Sequence, residues 1–164
     1  TLTKRKRKTQ QSIVDKLIRQ PRLRLPQMQD IAGCRIVVQG GKQAVLKIES
    51  LLSEAFALQE WQVESKSRNS EGYRAIHIII KADKKFYEIQ LRTYAQDIWA
   101  NLIESLCDES NSLKYGGTEQ EKPLMQQLTT LAESFDNIDK QAHTVDFTRY
   151  QKNIEEAINH VLSH

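Results

Sequence analysis

Apolar positions along the chain follow two different spacings. Ile13, Leu17 and Ile18 recur at helical intervals between residues 11 and 20, and Pro21 ends that pattern. The run CRIVV at 34–38 is short and β-branched, and Gly40 and Gly41 close it, which predicts a strand. Ala44, Val45, Ile48, Leu51, Leu52, Ala55 and Phe56 keep the 3.6-residue period of an amphipathic helix. A further short strand is expected at 61–64. Residues 75–80 and 86–91 form two apolar, β-rich runs joined through KADKK, the pattern of a hairpin. A helix carrying Ile98, Trp99, Leu102, Ile103 and Leu106 comes next, then a turn at Gly116-Gly117. Two more helices complete the chain, the last marked by Ile154, Ala157, Ile158, Val161 and Leu162. The order predicts an α+β fold, a small antiparallel or mixed sheet flanked by helices.

Composition narrows the class. At 164 residues, 39% hydrophobic and 27% charged, the chain is expected to form one globular domain over residues 1–164. No apolar stretch approaches a bilayer span, so no membrane partner is expected. Two cysteines without a CxxC pair, and four scattered histidines, argue against a disulfide framework or a structural zinc site. No charged-then-apolar leader opens the sequence, which argues against a signal peptide; a start at Thr1 reads as a domain of something longer. The expected site of action is cytoplasmic. The net charge of +3 is small, but its placement is not even. Lys4, Arg5, Lys6, Arg7 and Lys8 are consecutive, and Lys16, Arg19, Arg22 and Arg24 follow. Such a block attracts phosphate, on a nucleotide or a polynucleotide, or is a solvated arm.

The chemistry concentrates in three places. In the strand at 86–91, alternation sets Tyr87, Ile89 and Leu91 on one face and Phe86, Glu88 and Gln90 on the other, with Arg92 in the latter's parity. A carboxylate, an amide and a guanidinium in line suggest a ligand floor, unless the strand is a solvent-facing edge. Asp30 precedes the CRIVV strand that contains Arg35. A lone carboxylate there commonly caps a turn. Together with Glu88 on an adjacent strand it can hold one Mg2+, leaving positions for substrate phosphates. In GYRAIH at 72–77, Tyr73 offers a ring on which a purine can stack, and Arg74 and His77 can reach phosphate or ribose oxygens. The alternatives are a hairpin-edge tyrosine and a satisfied strand histidine. Cys34 and Trp99 read as packing residues, and Ser12 as a helix cap or a phosphate contact.

In order, KTQQSIVDKL, DIAGCRIVV, GYRAIH, EIQLRT and the helix near Trp99 resemble the synthetase domain of the RelA/SpoT family, with motifs over residues 6–106. Small alarmone synthetases are the members most similar in outline, and residues 118–164 carry no matching motif. The resemblance implies a nucleotidyltransferase-like fold and transfer of pyrophosphate from ATP to the ribose 3′-hydroxyl of a guanine nucleotide. It implies that Asp30 binds Mg2+ and that Glu88 binds metal or deprotonates the attacking hydroxyl. Lys8, Ser12 and Lys16 would line the ATP side with Arg35; Lys6 stands where the family usually has an Arg, and Lys lacks the bidentate fork. Tyr73 would stack on the acceptor base, while His77, Gln90 and Arg92 would hold its sugar or phosphates. Lys66 and Arg68, with Arg74, offer further charge for acceptor phosphates. The segment ESKSRNSE before Gly72 lacks the family's Asp-Tyr pair, and Glu71 stands where guanine is normally read. By the family's default GDP or GTP stays the favoured acceptor, and with that departure ADP, AMP or the 3′ end of tRNA is the alternative. Relatives of the latter kind are toxins, whose partner would be an antitoxin or immunity protein. A third reading is an inactive nucleotide- or RNA-binding module, against which the two carboxylates argue.

Overall fold

A computed structural model describes residues 2–4, 8–70, 73–109, 118–142 and 146–162. Lys6, Glu71, Gly72 and the Gly116-Gly117 pair lie outside these residues, as does the side chain of Tyr73. In chain order the elements are β1 (Leu2–Lys4), α1 (Gln10–Arg19), β2 (Gly33–Val38), α2 (Lys42–Ala57), β3 (Gln62–Ser70), β4 (Tyr73–Ala82), β5 (Lys85–Thr93), α3 (Tyr94–Glu109), α4 (Lys122–Gln141) and α5 (Phe147–Leu162). The sheet order is β1-β2-β5-β4-β3. β2 and β5 pair in parallel, and the other neighbours are antiparallel. The sheet is mixed and flanked by helices, the α+β class that the apolar spacing predicts.

One face of the sheet is apolar. Ile78 and Ile80 of β4 and Ile89 and Leu91 of β5 pack with Val45 of α2, and Cys34, Ile36, Val38, Ile48 and Leu52 close round them. A second core joins the C-terminal helices: Trp99 and Ala100 of α3 meet Leu131 and Phe135 of α4 and Tyr150 and Ile154 of α5. Trp99 is core as expected, its indole N–H donating to the Leu128 carbonyl at 3.2 Å.

Four elements differ from the sequence expectation, and the first is β1, a strand not expected at all, which pairs antiparallel with β2. β3 runs to Ser70 rather than stopping at 64, although ESKSRNS shows no apolar alternation. It is an edge strand paired only with β4, so charged residues on it suit solvent and blunt the edge. α3 starts at Tyr94, directly after β5, because Thr93 and Gln96 cap it reciprocally: Thr93 N donates to Gln96 Oε1 at 3.0 Å and Gln96 N to Thr93 Oγ1 at 3.1 Å. α1 has the expected period yet buries none of its residues, and Ile18 is 69% exposed. The β4–β5 hairpin turns on Asp83 and Lys84, both at positive φ, the geometry that matches strand twist in a two-residue turn.

The helical layer is tied to the sheet through a buried carboxylate. Asp139 of α4 is 2% exposed; its Oδ2 accepts from Thr93 Oγ1 at 2.7 Å and its Oδ1 from the Tyr150 hydroxyl at 2.5 Å. Burial raises its pKa to about 6 against those donors, with Asp136 adding to the shift and Arg74 opposing it. The same burial holds the Tyr150 hydroxyl above its ordinary value. The folded state thus retains a proton that the unfolded chain releases near pH 4. That contribution is complete below about pH 4 and is lost as pH rises to about 6, by at most about 3 kcal/mol. Asp139→Asn, which can still bond both hydroxyls, should flatten this part of the stability profile in urea unfolding between about pH 4 and 7. An unchanged slope in the variant would place the titration elsewhere.

Candidate active site

Strand alternation puts Glu88, Gln90 and Arg92 on the sheet face opposite α2, and the strand is central rather than an edge. All three are buried, at 5%, 3% and 2% exposure. A solvent-facing edge is thereby excluded. The register brings His77 of β4 and Arg35 of β2 opposite Gln90 on either side. Polar groups in so buried a row cost free energy unless bonded, and these are bonded to one another. His77 Nδ1 lies 2.6 Å from Glu88 Oε1. Gln90 Nε2 donates to Glu88 Oε2 at 3.1 Å, and Gln90 Oε1 accepts from Arg92 Nη2 at 3.3 Å. Arg92 Nη1 continues to Asp97 Oδ1 of α3 at 3.3 Å, and Asp97 Oδ1 reaches Arg35 Nη1 at 3.1 Å. A single chain of contacts therefore crosses from β4 through β5 and α3 to β2.

Asp30 stands three residues before Gly33, whose register partner is Glu88. The two backbones approach so closely that a Cβ at Gly33 would lie 2.2 Å from the Glu88 carbonyl oxygen, so only glycine fits there. Lys8 and Lys16 both donate to Asp30 Oδ2, Lys16 at 2.8 Å. Burial alone would raise the Asp30 pKa; the hydrogen bonds and charge of the two lysines outweigh it and bring the pKa down to about 2. Asp30 Oδ1 is buried and has no hydrogen-bond partner among the described residues. Burying an acceptor without a donor is costly, so this oxygen is left for a ligand. Thr9 caps α1 by accepting from Ser12 N at 3.1 Å, and the Ser12 hydroxyl lies 2.8 Å from Thr9 Oγ1. Ser12 is thus in the first turn of α1, on the helix that carries Lys16.

Asp30, Lys8, Lys16, Arg35, His77, Glu88, Gln90 and Arg92 all belong to these two adjoining clusters. Lys66 is opposite His77 on β3, and its Nζ pairs with Glu64 at 2.8 Å. Arg74 does not join them. It is three residues from His77, hence on the other face, where it donates to the Ala132 carbonyl at 2.9 Å and pairs with Asp136. A cavity of about 350 Å³ lies beside it, lined by Arg74 with Lys42, Asp136 and Lys140 and also by Arg68, whose register partner Ala75 shares the parity of His77. Arg74 is thereby placed apart from the Glu88 row, tying the sheet to α4. Lys6 and the ring of Tyr73 fall outside the described residues. Asp97 and Asn101 are not among the residues the sequence singles out. With Glu104 their spacing along α3 is i, i+4, i+7, one polar stripe on the helix, and that stripe is the signal available.

The arrangement suits a polyphosphate substrate. Two lysines hold a carboxylate on one of its oxygens. The strand that follows it pairs with the one carrying a second carboxylate, bonded to an imidazole, and the guanidiniums of Arg35 and Arg92 lie farther along the same sheet face. Comparison with known proteins gives the family. The family model described as "Region found in RelA / SpoT proteins" matches residues 5–107. The uncharacterized proteins Rv1366 of Mycobacterium tuberculosis and Mb1401 of Mycobacterium bovis are 36% identical over 104 residues, 62% of this chain but 37% of theirs. The chain thus spans well under half the length of these curated relatives. Among solved structures, small alarmone synthetase 1 from Bacillus subtilis bound to its product pppGpp superposes with a TM-score of 0.66 at 27% identity, over 86% of this chain and 75% of that one. The same synthetase bound to AMPCPP gives 0.55 at 27% identity, over 94% and 78%.

Proposed function

The chain belongs to the RelA/SpoT family, and from that premise we propose that it is an alarmone-type pyrophosphokinase acting on a guanine nucleotide. The observation that carries this reading is the adjacency of the Asp30–Lys8–Lys16 cluster to the buried His77–Glu88–Gln90–Arg92 row, joined where Gly33 meets Glu88. One cluster offers cations and an open carboxylate oxygen, the other a carboxylate poised beside a histidine. A nucleotide pair that must react across a polyphosphate needs both.

In this reading the polyphosphate of ATP lies along Lys8, Lys16 and Arg35, whose charges offset the charge developing on the transferred group. The acceptor ribose lies against His77, Gln90 and Arg92, which brings its 3′-oxygen toward the β-phosphorus. The 3′-oxygen bonds to that phosphorus, the bridge to the α-phosphate breaks, and AMP leaves with the bridging oxygen. Glu88 takes the hydroxyl proton, and Nδ1 of His77 holds the carboxylate in place by donating to it. Asp30 fits a Mg2+ site: its Oδ1 is buried with no partner among the described residues, oxygen donors suit that ion, and one or two carboxylates plus phosphates are its usual set. Asp30, with Glu88 as a second donor, would hold the ion, and the bound ion would supply charge neutralisation for the phosphates.

Guanine is preferred over adenine because the structural relative with product bound holds a guanine nucleotide. The test is incubation with ATP labelled in the γ-phosphate, Mg2+ and, separately, GDP, GTP, ADP, AMP and uncharged tRNA. Label is expected on GDP or GTP above all. Label chiefly on ADP, AMP or tRNA overturns the acceptor and turns the protein toward the toxin-like relatives. Binding of nucleotides with no label on any acceptor leaves only a binding module.

A further inference from the structure

We propose that Asp97 is a positioning residue shared by the donor and acceptor halves of the site, so that its loss weakens both nucleotides together. The inference rests on the two-substrate reading above and deepens it. Asp97 Oδ1 is 3.1 Å from Arg35 Nη1 and 3.3 Å from Arg92 Nη1, so one oxygen holds a guanidinium from β2 and another from β5. Its second oxygen, Oδ2, accepts from Asn101 Nδ2 at 3.2 Å. Asn101 Oδ1 in turn accepts from Arg35 Nη1 at 3.1 Å, which closes a ring of Arg35, Asp97 and Asn101. Glu104 adds a looser contact to Arg35 at 3.5 Å from a largely exposed position.

Two guanidiniums side by side repel, and each has a planar fork whose aim decides what it can bind. A carboxylate between them offsets the repulsion and fixes both planes. Asp97 is mostly buried, at 19% side-chain exposure, so its charge is little screened by solvent. The geometry is also asymmetric in a useful way. Arg35 is on the strand that leads out of the Asp30 cluster, the donor side, while Arg92 is bonded to Gln90 on the acceptor side. α3 reaches both because the Thr93–Gln96 cap starts it without a loop, so its first turn lies directly beyond Arg92. Asp97 has no need to touch either nucleotide to matter for both.

Steady-state kinetics on the full chain separates this from a structural role. Arg35→Lys is expected to raise the KM for ATP alone, and Arg92→Lys the KM for the acceptor alone. Asp97→Asn is expected to raise both, each by about tenfold, the loss of a charged hydrogen-bond acceptor, with Asp97→Glu recovering part of each. Asn101→Ala, at an exposed position, should give the same two-sided pattern at smaller size; it keeps the test open if Asp97→Asn does not fold. A rise confined to one substrate, or a fall in kcat with both KM values unchanged, overturns the proposal. Equilibrium binding of AMPCPP and GDP provides a readout independent of turnover. If the wild type binds neither, the two-substrate reading fails; if it binds both and Asp97→Asn weakens only one, that reading stands and the shared role of Asp97 does not.

Discussion

Glu88→Gln is expected to lower kcat for pyrophosphate transfer by at least about a hundredfold while leaving the thermal midpoint close to that of the wild type. The substitution keeps the size of the side chain, and its amide still pairs with both neighbours once His77 carries its proton on Nε2. The amide oxygen then accepts from Gln90 and the amide nitrogen donates to Nδ1 of His77, groups that lie 3.1 and 2.6 Å from the carboxylate. What it removes is the negative charge and the ability to accept a proton. A residue serving only to hold the sheet together would behave in the opposite way, with a lowered midpoint and turnover roughly proportional to the folded fraction. Label transfer and thermal unfolding measured on the same preparation separate the two. More than about a tenth of wild-type turnover in the folded variant would remove Glu88 from the proton-transfer role.

The second large effect is expected at Asp30. Both lysines bond Oδ2, and Oδ1 is buried without a partner among the described residues. Asp30→Asn replaces a carboxylate held ionised down to about pH 2 by a neutral amide. An amide is a poorer ligand for a hard divalent cation and releases Lys8 and Lys16 from their shared anchor. Turnover at ordinary Mg2+ should fall by about tenfold or more and recover in part as Mg2+ is raised. The check is a Mg2+ titration of both proteins at saturating ATP. A variant as active as wild type at ordinary Mg2+ removes Asp30 from the site, and a loss that no Mg2+ concentration relieves points to the lysines rather than to the ion.

Much of this was legible before any coordinates. The β-branched run at 34–38, the hairpin through KADKK and the polar parity of Glu88, Gln90 and Arg92 rest on local spacing, and local spacing survives folding. The parity of β5 was readable, but its central position was not, because that depends on β2 crossing over to pair with it. For a related reason the separation of Arg74 from the Glu88 row was not read. The nearness of Arg74 to His77 in sequence suggested a common site, although three residues along a strand means opposite faces. β3 was too short in prospect because an edge strand has no apolar alternation to reveal it. Asp97 and Asn101 went unnoticed because their partners are far off in sequence; Arg35 and Asn101 are 66 residues apart. The Thr93–Gln96 cap that aims α3 was a readable T-x-x-Q signal. Asp139 carried none, since nothing local marks a carboxylate that will be buried against Tyr150 and Thr93.

The central claim is the bond that is made and the bond that is broken, and phosphorus NMR of a complete reaction reads both. With ATP, GDP and Mg2+ the account predicts AMP in one-to-one ratio with a guanine nucleotide that has gained a diphosphate on its ribose 3′-oxygen, and a requirement for Glu88. Formation of ADP, or of AMP and free pyrophosphate beside unchanged GDP, would contradict it.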